Sequence, residues 1–131
     1  DVINTPGGNV MHAIKESSEG YLGFGEAYFS SIDEGAIKAW KRHKSMTLNL
    51  VVPVGEIKFV LFDDRDMSNR LFQEIILSRD NYCRLTIPPN IWFAFKGIGD
   101  GINMLTNIAD LPHDPNEVLR KKLNEIKFND N

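Results

Sequence analysis

Between Lys38 and Lys44 the chain reads KAWKRHK, which puts five basic or titratable side chains, Lys38, Lys41, Arg42, His43 and Lys44, into seven residues. Two kinds of chemistry fit such a cluster. The imidazole of His43 can take up and give back a proton, and a lysine such as Lys41 becomes a neutral amine if it is desolvated beside another positive charge. Lys38 and Arg42 can hold a phosphate or the oxyanion of an enolate. In an extended segment Ala39, Lys41 and His43 share one face and Lys38, Trp40 and Arg42 the other, so both faces are cationic. A solvated rim at a strand end is the competing reading, because exposed Lys and Arg are the norm.

Other groups add to the inventory. Trp92, Phe93 and Phe95 can wall a pocket and stack on a sugar or base, and Tyr28 and Tyr82 are candidate acids. Asp63, Asp64 and Arg65 close an apolar run and read first as a turn-stabilising set. Trp40 reads as core or dimer interface. His12 and His113 have no partner pattern and read as surface or turn residues. The GFG of Gly23 to Gly25 lacks the strand, glycine triplet and helix of a nucleotide fingerprint.

The elements that must position these groups are short and β-like. EAYFSSI, AIKAW, MTLNLVVPV, EIKFVLF, QEIILS, YCRLTI, IWFAFKG and NMLTNIA recur between turn signals such as Asp33-Glu34-Gly35, Gly55, Asp63-Asp64-Arg65 and Pro88-Pro89-Asn90. This spacing predicts an all-β sandwich or barrel. At the C-terminus, Leu119, Leu123 and Ile126 fall at i, i+4 and i+7, which predicts a short helix.

Bulk properties exclude several classes. The 131 residues suit one domain, with 42% hydrophobic and 25% charged residues. Fifteen Lys and Arg against eighteen Asp and Glu leave a net charge of -3, which does not favour a nucleic-acid polymer. Cys83 is the single cysteine, which excludes an internal disulfide framework or a cysteine-rich zinc site and fits a cytoplasmic location. No apolar run approaches a membrane span and no signal pattern opens the chain, so no membrane partner is expected.

The region Gly35 to Gly55 resembles the first cupin motif, with Gly35, Lys41, His43, Leu48 and Gly55 at its Gly, His, His, Glu and Gly positions; Pro88, Asn90 and Phe93 fall at the Pro, Gly and His positions of the second. Lys41, Leu48 and Phe93 replace metal donors, so no metal and no other cofactor is expected. The phrases VGEIKFVLFDDR, IPPNIWFAFKG and HDPNE make the chain similar to the dTDP-4-dehydrorhamnose 3,5-epimerase family of metal-free cupins. The resemblance implies one jelly-roll barrel over residues 1–131, with a short C-terminal helix and residues 1–20 as an arm exchanged in a homodimer. In that family Lys38 matches an arginine, Lys41 the catalytic histidine, Phe93 a second histidine, Asn107 the tyrosine acid, and Asp63 with Arg65 an Asp-x-Arg; the C-terminal extension with the supporting aspartate has no counterpart here.

The resulting expectation is an isomerase of 3,5-epimerase type acting on a dTDP-4-keto-6-deoxy sugar in cell-surface polysaccharide biosynthesis. Lys41 or His43 is its base, and Lys38, Arg42, Asp63, Arg65, Phe93 and Asn107 contact the nucleotide-sugar substrate. The alternative is a non-catalytic cupin that binds a sugar or nucleotide sugar.

Overall fold

The computed structural model describes residues 2–66 and 68–127. Its strands are β1 (Val2–Thr5), β2 (Gly8–Met11), β3 (Glu26–Ile32), β4 (Ile37–His43), β5 (Leu48–Val54), β6 (Glu56–Asp63), β7 (Leu71–Ser78), β8 (Leu85–Ile87), β9 (Trp92–Gly97), β10 (Asn103–Ala109) and β11 (Val118–Arg120). All eight β-like runs of the sequence form strands. β1 and β2 make a hairpin, while the others form a four-stranded sheet in the order β3-β10-β5-β8 and a five-stranded sheet in the order β11-β4-β9-β6-β7. The named pairings within each sheet are antiparallel, and the chain passes between the sheets at almost every connection. The result is a jelly-roll barrel.

Period-two alternation explains the layers. Leu48, Leu50 and Val52 of β5, Ile57 and Phe59 of β6, Phe93 of β9 and Leu105 of β10 point inward and form the core between the sheets. The outer face of the five-stranded sheet carries a second cluster of Trp40, Val60, Phe62, Trp92 and Ala94, covered by Leu119 and Ile126.

That cover differs from the sequence expectation. Residues 118–120 extend the sheet by pairing with β4, and the C-terminal helix contracts to a single 3₁₀ turn, Leu123–Glu125. Leu119 and Ile126 still reach one apolar cluster, so the spacing marked burial correctly. The open edge of β4 offers backbone partners that a lone helical turn lacks, and short helices are marginal without packing.

Two turns hold the barrel ends. Gly55 joins β5 to β6 at φ +79°, and a Cβ there would lie 2.3 Å from Asn103 Oδ1. That oxygen instead accepts the Glu56 amide at 2.8 Å. Asn90 takes the left-handed conformation at φ 69°, which Asn tolerates better than most residues, and its N–H donates to the His43 carbonyl at 2.7 Å. The Pro-Pro-Asn turn is thereby tied to the end of β4.

Candidate active site

A cavity of about 250 Å³ lies inside the barrel between the two sheets. β4 contributes Lys38, Lys41 and His43, β9 contributes Phe93 and Phe95, and β11 contributes Val118 and Arg120. From the facing sheet come Glu26, Tyr28 and Ser30 of β3, with Leu48, Leu50 and Leu105 as an apolar floor. His113 stands at the exposed rim.

Lys38 joins Lys41 and His43 on one wall, which strict alternation forbids. The β4–β9 register explains it: Lys38 pairs with Phe95 and Lys41 with Phe93, so three steps along β4 match two along β9. The extra residue is a β-bulge, and a bulge re-aims the side chains on one side of it. Lys38 Nζ donates to Ser30 Oγ and to the Ser31 carbonyl, both at 3.0 Å, and bridges the two sheets beside the cavity.

His43 is held by a carboxylate from 74 residues away. Its Nδ1 hydrogen-bonds Glu117 Oε1, while Glu117 Oε2 accepts the amides of Ser45 at 3.0 Å and Met46 at 3.1 Å. Burial alone would raise the Glu117 carboxyl, but the bond from His43 and the two amides outweigh it and hold the group below its usual range. A carboxylate accepts only, so the Nδ1 proton belongs to this bond and Nε2 carries the ring's lone pair. Phe93 stacks on the imidazole with centroids 6.1 Å apart and fixes its plane.

Lys41 is half-buried, with Arg120 as its cross-strand partner. Burial first, then the charges of Arg120 and Lys38, push its ammonium below the ordinary lysine value. Three cations beside one acid, Glu26, make the lining favourable to an anion.

Asn107 is fully buried behind the cavity. Its Nδ2 donates to Tyr28 Oη at 3.1 Å, so it holds a lining residue in place. The other expected contacts lie elsewhere. Arg42 points to the outer face, 4.9 Å from the Trp92 ring and 3.6 Å from Asp64, because it alternates with Lys41 and His43 past the bulge. Trp92 alternates with Phe93, belongs to the outer cluster and does not line the cavity. Asp63 and Arg65 border a separate hollow with Leu71, Thr86 and Ile91, two strands from His43 and about 10 Å across the sheet. Arg65 folds back onto Asp63 at 2.9 and 2.8 Å, so this pair stabilises its own turn and does not line the cavity of His43. Tyr82 donates to the His12 carbonyl at 2.8 Å in another hollow.

At the cupin metal positions only His43 is a donor, and its Nδ1 is engaged by Glu117. Lys41, Leu48 and Phe93 do not fit a metal, and among the described residues no group of three His, Cys, Asp or Glu side chains converges. Sequence reasoning missed Glu117 and Arg120. HDPNE contained the first without showing its target, and Val118-Leu119-Arg120 alternates as a strand does but was masked by helical spacing.

The chain is 38% identical to a dTDP sugar isomerase from Desulfovibrio desulfuricans G20, with a TM-score of 0.89 over 94% of this chain and 80% of that one. The chain belongs to the dTDP-sugar isomerase and epimerase family of cupins. A probable low-salt glycan biosynthesis epimerase, Agl13 of Haloferax volcanii, is 33% identical over 98 residues, 70% of this chain. The chain spans 62% of the length of that curated relative. The fold extends to the RmlC 3,5-epimerase of Legionella pneumophila, solved with dTDP-4-keto-L-rhamnose, at 17% identity and a TM-score of 0.78 over 92% of this chain and 68% of that one. No protein-family model matches the chain. In this member of the family the imidazole of His43 is held by Glu117.

Proposed function

We propose that this member of the family is a metal-independent isomerase of a dTDP-4-keto-6-deoxy sugar in cell-surface glycan biosynthesis. The observation that carries the reading is His43, held by Glu117, on the wall of a cationic cavity. A carbon next to a carbonyl loses its proton only if a base lies within reach and the enolate oxygen finds a partner. His43 Nε2 is the base, with Glu117 holding the tautomer and stabilising the imidazolium. Lys41 and Arg120 supply positive charge for the enolate and diphosphate. Phe93 and Phe95 offer ring faces to the sugar or thymine. Lys41 is thus the electrostatic partner and not the base.

The protein acts as a homodimer in the cytoplasm. Support for the dimer comes from the N-terminal hairpin, which forms its own two-stranded sheet and exposes Val2, Ile3 and Val10. Sedimentation yielding a monomer mass at working concentration would contradict it. Support for the location is the free, exposed Cys83, which suits a reducing compartment; no helix among the described residues is long and apolar enough to cross a membrane.

The deciding experiment incubates the protein with dTDP-4-keto-6-deoxyglucose in heavy water. Deuterium next to the carbonyl, lost in His43→Asn with dTDP binding retained, is the expected result. Tight dTDP-sugar binding without exchange in the wild type would instead favour a carrier or sensor of nucleotide sugars.

A further inference from the structure

The C-terminal segment meets the barrel along one line. β11 is an edge strand of the five-stranded sheet and pairs with β4, Val118 opposite His43, Leu119 opposite Arg42 and Arg120 opposite Lys41. Two backbone bonds bracket that pairing, from Lys44 N–H to the Glu117 carbonyl at 2.8 Å and from Lys121 N–H to the Trp40 carbonyl at 3.0 Å. Two side chains of this strap serve the cavity: Glu117 holds His43, and Arg120 lines the wall. Peeling the strap from β4 withdraws both together and breaks no other strand pairing among the described residues, the kind of local opening that precedes global unfolding.

The forces on the two sides of the strap oppose each other. On the outer side Leu119 and Ile126 pack into the apolar cluster, and the Leu123 carbonyl accepts Trp40 Nε1–H at 3.3 Å. On the inner side Arg120 stands directly across from Lys41, and like charges opposite one another weaken a strand pair. Lys38 adds a third positive charge to the same wall. Among the described residues no ion pair reaches Lys41 or Arg120, because Glu117 is taken by His43 and the acid of the lining, Glu26, stands on the facing sheet. The strap is held from outside and repelled from inside, and an anion between the two cations reverses the sign of the inner force.

We infer that Arg120 is a latch worked by the ligand: a phosphate of a bound nucleotide, seated between Arg120 and Lys41, draws β11 onto β4 and so positions Glu117 against His43. The inference rests on the part of the proposed function that puts a nucleotide sugar in this cavity, and adds that the substrate itself completes the base that acts on it. In the docked state guanidinium and ammonium share one anion, and a charge-assisted bond from each replaces their repulsion. In the open state the strap carries Arg120 away and the anion keeps Lys41 alone. The ligand thus binds the two states unequally, which is the condition for it to shift the equilibrium between them. Glu117 stands three residues before Arg120 on the same strap, so it is placed by the latch without touching the anion. In this role Arg120 is a positioning residue.

Amide hydrogen exchange read by NMR, with and without dTDP, tests the latch. The Lys44 and Lys121 amides report the strap, since their acceptors are in reach only when it is docked, and the Phe59 amide of β6 reports the barrel. In wild type, saturating dTDP is expected to slow exchange at Lys44 and Lys121 by about tenfold or more. Arg120→Lys keeps the charge and should keep that response. Arg120→Glu pairs with Lys41 without a ligand, so both strap amides should exchange more slowly than in wild type before dTDP is added, and dTDP should add little. A merely structural role for the Arg120 side chain gives the reverse, faster exchange in the variant. Strap amides that ignore dTDP while the Phe59 amide slows overturn the inference, as does faster exchange of the strap in ligand-free Arg120→Glu. If dTDP slows no amide and calorimetry shows no binding, the inference falls together with the nucleotide-sugar reading. Slowed strap amides in a protein that moves no deuterium into the keto-sugar support the latch and remove the isomerase activity alone.

Discussion

β4 and β9 present nearly the same residue types on their two faces, yet the faces do different work. Inside, His43 stacks on Phe93 and Lys41 borders a cavity. Outside, Arg42 lies 4.9 Å and Lys121 5.0 Å from the Trp92 ring. The outer cations are each matched to an aromatic ring, Arg42 also to Asp64, and Trp40 is sealed at 2% exposure with its Nε1 donating to the Leu123 carbonyl. The inner ones border a cavity and lie close together, so that burial first, and then the charges of Arg120 and Lys38, push Lys41 below its ordinary value. A basic and aromatic pair is a packing device where a neighbour completes it, and a reactive surface where a cavity does.

Substitutions on the two faces should separate these roles. His43→Asn has the largest expected effect, a fall in kcat of about 10³-fold with dTDP affinity and melting temperature little changed; an equal loss of stability would place His43 among the packing residues. Trp40→Ala on the outer face should cost about 3–5 kcal/mol in urea unfolding through the cavity it leaves, while activity per folded molecule is preserved. Loss of turnover in the folded fraction would break the division between faces.

Glu117→Gln links activity and stability. It should lower kcat by about 10²-fold, because the charge that fixes the Nδ1 proton is gone, and cost about 1–3 kcal/mol through weakened bonds to the Ser45 and Met46 amides. The folded carboxyl sits below its unfolded value, so its contribution is present above about pH 4.3 and is lost as pH falls through the lowered folded value. Unfolding curves of the variant and the wild type should therefore converge on acidification through that window, and a constant gap would refute the linkage.

Lys41→Met gives a smaller effect of opposite sign on stability. The fold disfavours its protonated form, so the unfolded chain binds the proton more readily between the lowered folded value and about pH 10.4. At pH 7 the variant should melt higher than wild type while turnover falls, and a lower melting temperature would count against the crowded-cation account. Arg42→Gln should be smallest, within about 1 kcal/mol of wild type in stability and unchanged in turnover, because its pair with Asp64 is partly exposed.

Much of the fold was legible because alternation is local. Leu48, Leu50 and Val52, or Phe93 against Trp92 and Ala94, declare their faces through a period of two, and turn residues mark where each strand stops. The C-terminus misled because Leu119, Leu123 and Ile126 are buried together by a strand and a 3₁₀ turn, and apolar spacing reports burial without naming the backbone that achieves it.

The sequence by itself determined that a cupin frame runs from Gly35 to Gly55, that Lys41, Leu48 and Phe93 stand where metal donors would, and that His43 is the remaining donor there. These follow from residue identity at fixed spacing. Only the tertiary structure decided that a bulge brings Lys38 to the face of Lys41, that Arg42 leaves it, that Arg120 joins it across a strand pair, and that Glu117 meets His43. Register and long-range contacts decide those matters, because a hydrogen bond between residues 74 apart is chosen by how two sheets close and not by any local preference of the chain.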